Sequence, residues 1–508
     1  MNSHSGIARC RTAVLSGIDA LPVDVEVDIG RGLPGLKCVG LPGASVKESE
    51  ERVKSAIRKS GFDWTRKRIT VNLAPADLRK EGSGLDLPIA LGILAASGAL
   101  PHEALEGWMV LGELSLDGQL RPVRGALNFA MLARRSGVRR LLVPQENVAE
   151  ASLCHDVDVH SARNLAEAAA LLPAPGAVPP RAPASAIPES DLDFADVRGL
   201  STPRRAALVA AAGGHNILMI GPPGSGKTMI ARRFPTILPA LEFDDALEML
   251  RIHSAVGLTL NGTLPSIPPF RAPHHTTSAV GMIGGGHPMR PGEVSLAHRG
   301  ILFLDELPEF RRDLLESLRQ PIEDGHVTVT RASGSANFPA KFMLVAAMNP
   351  CPCGQLGSDI PCECAPSQVG KYMRRISGPL LDRIDIHLEV PRRPYRETSA
   401  NAPGETSASL RQRVTEARTR QNLRYAKARY RTNAQVSAKA FRQSFEAEEA
   451  AHELLRESVD GLGLSARAAE KVERLARTVA DLAGRDLVTE DDVAEAVGYR
   501  TLDRRCRA

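Results

Sequence analysis

Val23, Val25, Val27 and Ile29 alternate with Asp and Glu, the two-residue period of a half-buried strand, and Arg68-Ile-Thr-Val-Asn-Leu73 repeats it. Leu85 to Leu100 is apolar and Ala-rich and reads as a buried helix. Further along, the hydrophobic pattern changes. Ile217–Ile220, Ile301–Leu304 and Leu344–Met348 are short runs without alternation, the pattern of strands covered on both faces by helices. Gly325–Arg331, a turn and Ala336–Phe342 predict a β-hairpin. From 410 to 508 the chain reads as helical, with Thr489-Glu-Asp-Asp492 capping a last short helix. Two stretches have no apolar period: Pro173 to Ser190, rich in Pro and Ala, and the polar Arg393 to Ser409. The expected organisation is α/β: a first domain over 1–172, a linker over 173–190, a P-loop α/β core over 191–392, a connector over 393–409 and a helical region over 410–508.

Composition narrows the class. At 508 residues the chain is too long for one core. With 43% hydrophobic and 24% charged residues it is globular, not disordered. No run approaches 18 apolar residues and the first residues lack the apolar core of a signal peptide, so a cytoplasmic location away from membranes is expected. A net charge of +5 permits nucleic acid without requiring it.

The chemistry starts at Gly221-Pro222-Pro223-Gly224-Ser225-Gly226-Lys227-Thr228, a G-x-x-x-x-G-K-T loop between an apolar run and a helix-compatible segment. Glycines let backbone N–H groups surround phosphates, and the following helix aims its positive end at the same point. Lys227 would reach the β- and γ-phosphates of ATP, and Thr228 would hold Mg²⁺. Ile301–Leu304 ends in Asp305 and Glu306, the Walker B form: Asp305 would bind Mg²⁺ through water and Glu306 would orient and deprotonate the attacking water. Asn349, ending its own apolar run, is a candidate contact for the γ-phosphate or the lytic water. Cys351, Cys353, Cys362 and Cys364 form C-x-C, eight residues, C-x-C, and four thiolates suit tetrahedral Zn²⁺, although C-x-C is tighter than the usual spacing. Four reduced cysteines in a loop is the alternative.

With these motifs in place the chain resembles AAA+ ATPases, and within them the magnesium-chelatase-like branch. Asp193-Phe-Ala-Asp-Val-Arg-Gly-Leu200 is similar to the adenine-side box, Asn349 to sensor 1, Gly378-Pro-Leu-Leu-Asp-Arg-Ile-Asp385 to the arginine-finger segment with Arg383 as the finger, and Ser465-Ala-Arg467 to the sensor-2 arginine. An intrachain salt bridge to Asp382 or Asp385 is the other reading of Arg383, and Arg374 and Arg375 are alternative fingers. A finger reaches a neighbour's nucleotide, so the resemblance implies a homo-oligomeric ring, usually a hexamer.

Pro75-Ala-Asp-Leu-Arg-Lys-Glu-Gly-Ser-Gly-Leu-Asp86 and Gly112–Leu120 resemble the Lon-type protease domain. Gly84 falls at the serine position, with Ser83 one residue before it, and Asn128 at the position of the lysine base, so a non-proteolytic relative is expected. Together the three parts resemble the ComM/YifB family. That resemblance implies a DNA helicase that drives branch migration of recombination intermediates in natural transformation, alongside a recombinase whose identity stays open. A chelatase-type subunit remodelling a protein partner is the runner-up, and an ATP-dependent protease a third reading. In the related branch an insert and a hairpin project into the ring pore. His274, His275, His326, Arg331 and Lys341 are therefore candidate DNA-backbone contacts; the adjacent histidines are equally readable as metal ligands or as a helix cap. Arg424 and Arg429 belong to a basic run, Arg411 to Arg431, which as a helix would be a phosphate-binding rod, a solvated face or a subunit contact.

Overall fold

The structure, a computed structural model, describes residues 7–176, 191–258, 263–331, 334–392, 404–428, 432–500 and 502. Most of the expected linker and connector lies outside these residues.

The architecture is mixed α/β, as the sequence predicts. The N-terminal sheet has seven strands in the spatial order Gly35–Val39, Arg68–Ala74, Asp19–Gly30, Ala8–Ser16, Trp108–Val110, Arg140–Pro144 and Asp158–Ala162. Its central three strands pair antiparallel, and its flanks pair parallel. The alternation in Asp19–Gly30 does what its period requires: Val23, Val25 and Val27 are buried while intervening residues are not. The apolar segment after Leu85 forms the helix Asp86–Ala96, which is buried along nearly its whole length against the sheet.

The second sheet is wholly parallel, with strands in the order Phe270–Arg271, Ile301–Leu304, Met343–Met348, Ile217–Ile220 and Ile386–Glu389. Ile217–Ile220 lies at its interior, paired on both edges, and every residue in it is buried. This explains the absence of alternation: helices cover both faces. Consecutive parallel strands run the same way, so their carboxyl ends share one rim and their amino ends the other. The rim at the carboxyl ends is where ligands bind in open α/β sheets.

The expected hairpin is present as His326–Arg331 paired antiparallel with Gly334–Pro339, ending three residues earlier than its apolar pattern suggested. Phe342 instead leads into the core strand Met343–Met348. The C-terminal region is helical, through Ser407–Arg424, Ala438–Arg442, Glu449–Leu462, Ala466–Leu482 and Glu490–Gly498. Asp492 Oδ2 accepts from both the backbone N–H and the hydroxyl of Thr489, closing the capping box read from the sequence.

The N-terminal sheet packs directly on the ATPase core. Leu247, Met249 and Leu250 of the helix Phe243–Val256 join a core with Leu127, Phe129 and Ala130 of the helix Ala126–Arg135. Polar contacts pin the join: Gly125 N–H donates to Ser254 O at 3.0 Å, and Arg251 pairs with Asp19 at 3.1 Å.

Candidate nucleotide site

The P-loop connects the buried strand Ile217–Ile220 to the helix Lys227–Ile237. Gly221 has no room for a side chain, since a Cβ there would lie 2.1 Å from the Val390 carbonyl oxygen. Gly224 and Gly226 take positive φ, which turns their neighbouring N–H groups inward. Lys227 is buried, and its ammonium donates to the carbonyls of Gly221 (2.7 Å) and Pro222 (2.9 Å) and to Asn349 Oδ1 (3.4 Å). Burial pushes the Lys227 ammonium below its ordinary value, against the pull of Asp305 and Glu306. A lysine held by weak neutral acceptors in a desolvated loop is poised to exchange them for phosphate oxygens.

Thr228 Oγ donates to Asp305 Oδ2 at 2.8 Å, so the two expected Mg²⁺-shell residues already face each other. Glu306 follows in the left-handed region, φ 52°, and is exposed. That conformation is costly for a non-glycine residue and turns the carboxylate out of the strand end into the site. Lys227, Thr228, Asp305, Glu306 and Asn349 therefore meet on the carboxyl rim of the sheet.

His274 and His275 are placed here too. Their rings lie 4.0 Å apart, and His275 Nδ1 is 3.9 Å from Glu306 Oε2. Both line a cavity of about 290 Å³ with Thr228, Arg232, Asp305 and Glu306. The pair expected as DNA-backbone contacts, metal ligands or a helix cap lies beside the acid expected to direct water. The reason is the strand Phe270–Arg271, whose parallel pairing with Ile301–Leu304 brings the residues after it to the same rim as Asp305. Arg232, one turn into the P-loop helix, was not singled out from sequence, since nothing in its spacing distinguishes it from a surface arginine.

Arg383 and Arg467 lie elsewhere. They line one cavity of about 500 Å³ together with Asn216, Glu323, Lys341 and Lys471. Asn216, Phe342 and Asp385 immediately precede the strands Ile217–Ile220, Met343–Met348 and Ile386–Glu389, so this cavity opens on the amino rim, at the far end of the sheet from the P-loop. Arg383 is paired within the chain, but with Glu323 and the Pro379 carbonyl (2.7 Å), not with Asp382 or Asp385. Arg467 is exposed on the first turn of Ala466–Leu482. Arg375 pairs with Glu309 and the Pro308 carbonyl. Lys341, expected on the DNA-gripping hairpin, sits past its second strand and lines the arginine cavity, because the chain there already turns into the core.

A residue missed from sequence organises this rim. Asp385 is buried and accepts from the Lys471 ammonium and from Asn216 N–H (3.0 Å), with His215 Nδ1 3.5 Å away. Burial pushes its carboxyl up, but Lys471 and His215 more than reverse this and hold it well below the usual carboxylate range. It joins the core sheet to the helix carrying Arg467.

Of the remaining candidates, His326 and Arg331 stand on the hairpin; Arg331 is exposed at its turn end with its guanidinium beside Gly285. The phosphate-binding rod is not what the structure contains at Arg424. Arg424 is bound to buried Asp481 at 3.0 Å, and Arg418 donates from Nε and Nη2 to the Ala211 carbonyl at 3.1 and 2.7 Å. Their long stems pack the helix Ser407–Arg424 onto its neighbours instead of facing solvent. Arg429 lies outside the described residues.

The four cysteine sulfurs come within 4.8 Å of one another, with Cys351, Cys353 and Cys362 separated by 3.4 to 3.6 Å. A tetrahedron of thiolates at Zn–S of ~2.3 Å has sulfur–sulfur edges of ~3.8 Å, so the donor set fits that ion. The N–H groups of Leu356 and Cys353 already point at Cys351 Sγ and Cys364 Sγ (3.4 Å each).

In the N-terminal domain Ser83 Oγ donates to Glu113, and Asn128 is buried with its amide donating to the Arg251 carbonyl at 3.0 Å. Asn128, expected at the position of a lysine base, thus makes a hydrogen bond between the N-terminal domain and the ATPase core.

Family models described as "Magnesium chelatase, subunit ChlI" match residues 193–398, "Subunit ChlI of Mg-chelatase" residues 25–147, and "Magnesium chelatase, subunit ChlI C-terminal" residues 404–500. The chain is 43% identical over 495 residues to the uncharacterized protein YifB of Escherichia coli, covering 97% of each. It is 41% identical over 495 residues to the competence protein ComM of Haemophilus influenzae, covering 96% of each. A Lon protease of Brevibacillus choshinensis is 26% identical over 139 residues, covering 26% of this chain and 17% of that protein.

Proposed function

Since the chain belongs to the ComM/YifB family of magnesium-chelatase-like AAA+ proteins, we propose that it is an ATP-driven DNA motor that promotes branch migration of recombination intermediates during natural transformation. The observation that carries the reading is the division of the ATPase parts between the two rims of one parallel sheet. Lys227, Thr228, Asp305, Glu306 and Asn349 bind and hydrolyse MgATP on the carboxyl rim. Arg383 and Arg467 share a cavity on the other. They stabilise the charge on a nucleotide held by the next subunit, in a closed ring, probed first as a hexamer.

MgATP supplies the phosphoryl group. Lys227 exchanges the Gly221 and Pro222 carbonyls for β- and γ-phosphate oxygens. Glu306 takes a proton from water aligned with the γ-phosphate, and Asn349 holds that water or the phosphate edge. The incoming phosphate of the neighbour displaces Glu323 from Arg383. His326 and Arg331, on the hairpin, contact the DNA backbone without reading bases. The four cysteines hold Zn²⁺. The N-terminal domain has no protease activity, its Asn128 lacking a lone pair basic enough to activate Ser83.

The test is ATP hydrolysis by the purified protein with and without single-stranded and branched DNA, with Lys227→Ala as control. Strong stimulation by branched DNA, lost in that variant, supports the motor. Hydrolysis indifferent to DNA refutes it and favours remodelling of a protein partner, the reading that the chelatase likeness of all three segments keeps alive.

A further inference from the structure

The cysteine loop begins two residues after Asn349, and it folds back onto the P-loop. Gly354 has φ +80°, and a Cβ built on it would lie 2.6 Å from Cδ and 2.9 Å from Cγ of Pro223, the third residue of the phosphate-binding loop. The Gly354 backbone thus lies against the Pro223 ring, with no room for a side chain on Gly354. Asn349, at the start of the same turn, reaches Lys227 at 3.4 Å. One short segment therefore touches the P-loop at both its proline and its lysine.

What keeps that segment in place is the cluster. Cys351 is fully buried and Gly354 N–H closes a turn on its carbonyl at 3.0 Å. Cys362 and Cys364 return from the far side of the loop to within 4.8 Å of the first pair. The described residues 351–364 contain no regular helix or strand; local turns about Ser358 and Gly354 shape each part of the loop, and the sulfurs join its two ends. Four thiolates drawn together without a cation repel one another; a thiophilic divalent cation removes that repulsion and closes the loop.

We propose that the cluster is a metal-held brace for the nucleotide loop: binding of a thiophilic divalent cation, Zn²⁺, presses Gly354 against Pro223 and sets the affinity for nucleotide. This rests on the nucleotide site described above but not on DNA being the substrate. No bond in the nucleotide changes and no redox step is needed; the cation acts through shape alone.

The full-length protein tests this through two readouts that do not require turnover: bound zinc per chain, and the affinity for a fluorescent ATP analogue without DNA. The wild-type chain is expected to hold about one zinc. Cys353→Ser/Cys362→Ser loses it and binds nucleotide about tenfold more weakly, the scale of a misplaced binding loop. Chelator-stripped wild-type protein shows the same loss, and added Zn²⁺ restores affinity, which an unfolded chain would not allow. Gly354→Val keeps its zinc yet weakens nucleotide binding, because the cysteines are intact while the contact is forced apart. Lys227→Ala keeps zinc and loses the nucleotide, confirming that the probe reads the P-loop. Loss of zinc with nucleotide affinity unchanged overturns the brace and leaves the metal site standing. A wild-type chain without zinc, indifferent to the cysteine substitutions, overturns both. A zinc-loaded wild-type chain that binds no nucleotide overturns the nucleotide reading itself.

Discussion

Arginines on the amino rim cannot serve the P-loop of their own chain. Asn216 and Gly221 bracket the strand Ile217–Ile220, so four residues at ~3.3 Å each put about 13 Å of buried sheet between the arginine cavity and the phosphate site. Arg383→Ala should leave nucleotide binding intact and lower kcat by about 10³–10⁵, or roughly 4–7 kcal/mol of transition-state stabilisation. Lys227→Ala should be inactive for the opposite reason, having an intact finger and no phosphate grip. Mixing the two separates action between chains from action within one. In assemblies formed by co-expression at equal levels, about a quarter of subunit contacts join an intact P-loop from an Arg383→Ala chain to an intact finger from a Lys227→Ala chain, and those sites recover the finger's full effect. Steady-state hydrolysis by assemblies purified through tags on both variants should therefore rise to about a quarter of the wild-type rate per site, from parents that are each near zero. Mixed assemblies that stay at the level of their parents refute action between chains, and with it the reason for expecting a ring.

Glu306→Gln should bind ATP within a few-fold of wild type and hydrolyse it at least about a hundredfold more slowly, because only the proton acceptor is lost; equal losses in binding and turnover would contradict that role. His275→Ala should lower kcat about tenfold with the nucleotide Kd changed far less, since His275 is paired with Glu306 in the cavity it shares with Thr228; a change in Kd alone would show that it contacts nucleotide instead. Asp385→Asn should cost about 3–5 kcal/mol by leaving the Lys471 ammonium buried without its partner, read as a fall in Tm or in the denaturant midpoint. The sign with pH follows from the lowered carboxyl: Asp385 contributes its full stabilisation above its unfolded value near ~3.9 and loses it progressively as pH falls below that. In acid unfolding the variant and wild type should therefore converge, and a gap that widens toward low pH would contradict the ion pair.

Most of the nucleotide site was legible because its parts are local. A P-loop is eight consecutive residues with one strand before and one helix after, and Walker B is a strand end; both follow from composition over a short window. What could not be read was which rim or face a residue reaches once strands are paired. His274 and His275 are separated from Glu306 by some thirty residues, and only the parallel register of Phe270–Arg271 with Ile301–Leu304 makes them neighbours. Lys341 illustrates the same limit, two residues short of a core strand and so drawn to the amino rim. Arg418 and Arg424 of the basic run differ from expectation for another reason. Counting charges assumed that arginines face water, yet an arginine can bury its stem and spend its donors on a carbonyl or a buried carboxylate, as Arg418 and Arg424 do with Ala211 and Asp481.

Asn128, expected at the position of a lysine base, lies in the contact between the N-terminal domain and the ATPase core. A lysine at 128 would bring an ammonium into the contact between the helices Ala126–Arg135 and Phe243–Val256, where it would be desolvated. Asn128 satisfies the Arg251 carbonyl without charge, and Leu127, Phe129 and Ala130 beside it then bury against Leu247, Met249 and Leu250. Across the same contact Gly17 meets the hairpin: a Cβ there would lie 3.1 Å from the Phe338 ring and 3.2 Å from Ala336. The helix Ala126–Arg135 is thus a docking helix for the ATPase core. The hairpin carrying His326 and Arg331 is held between the ATPase core and this domain, so a shift of either must be felt by the other.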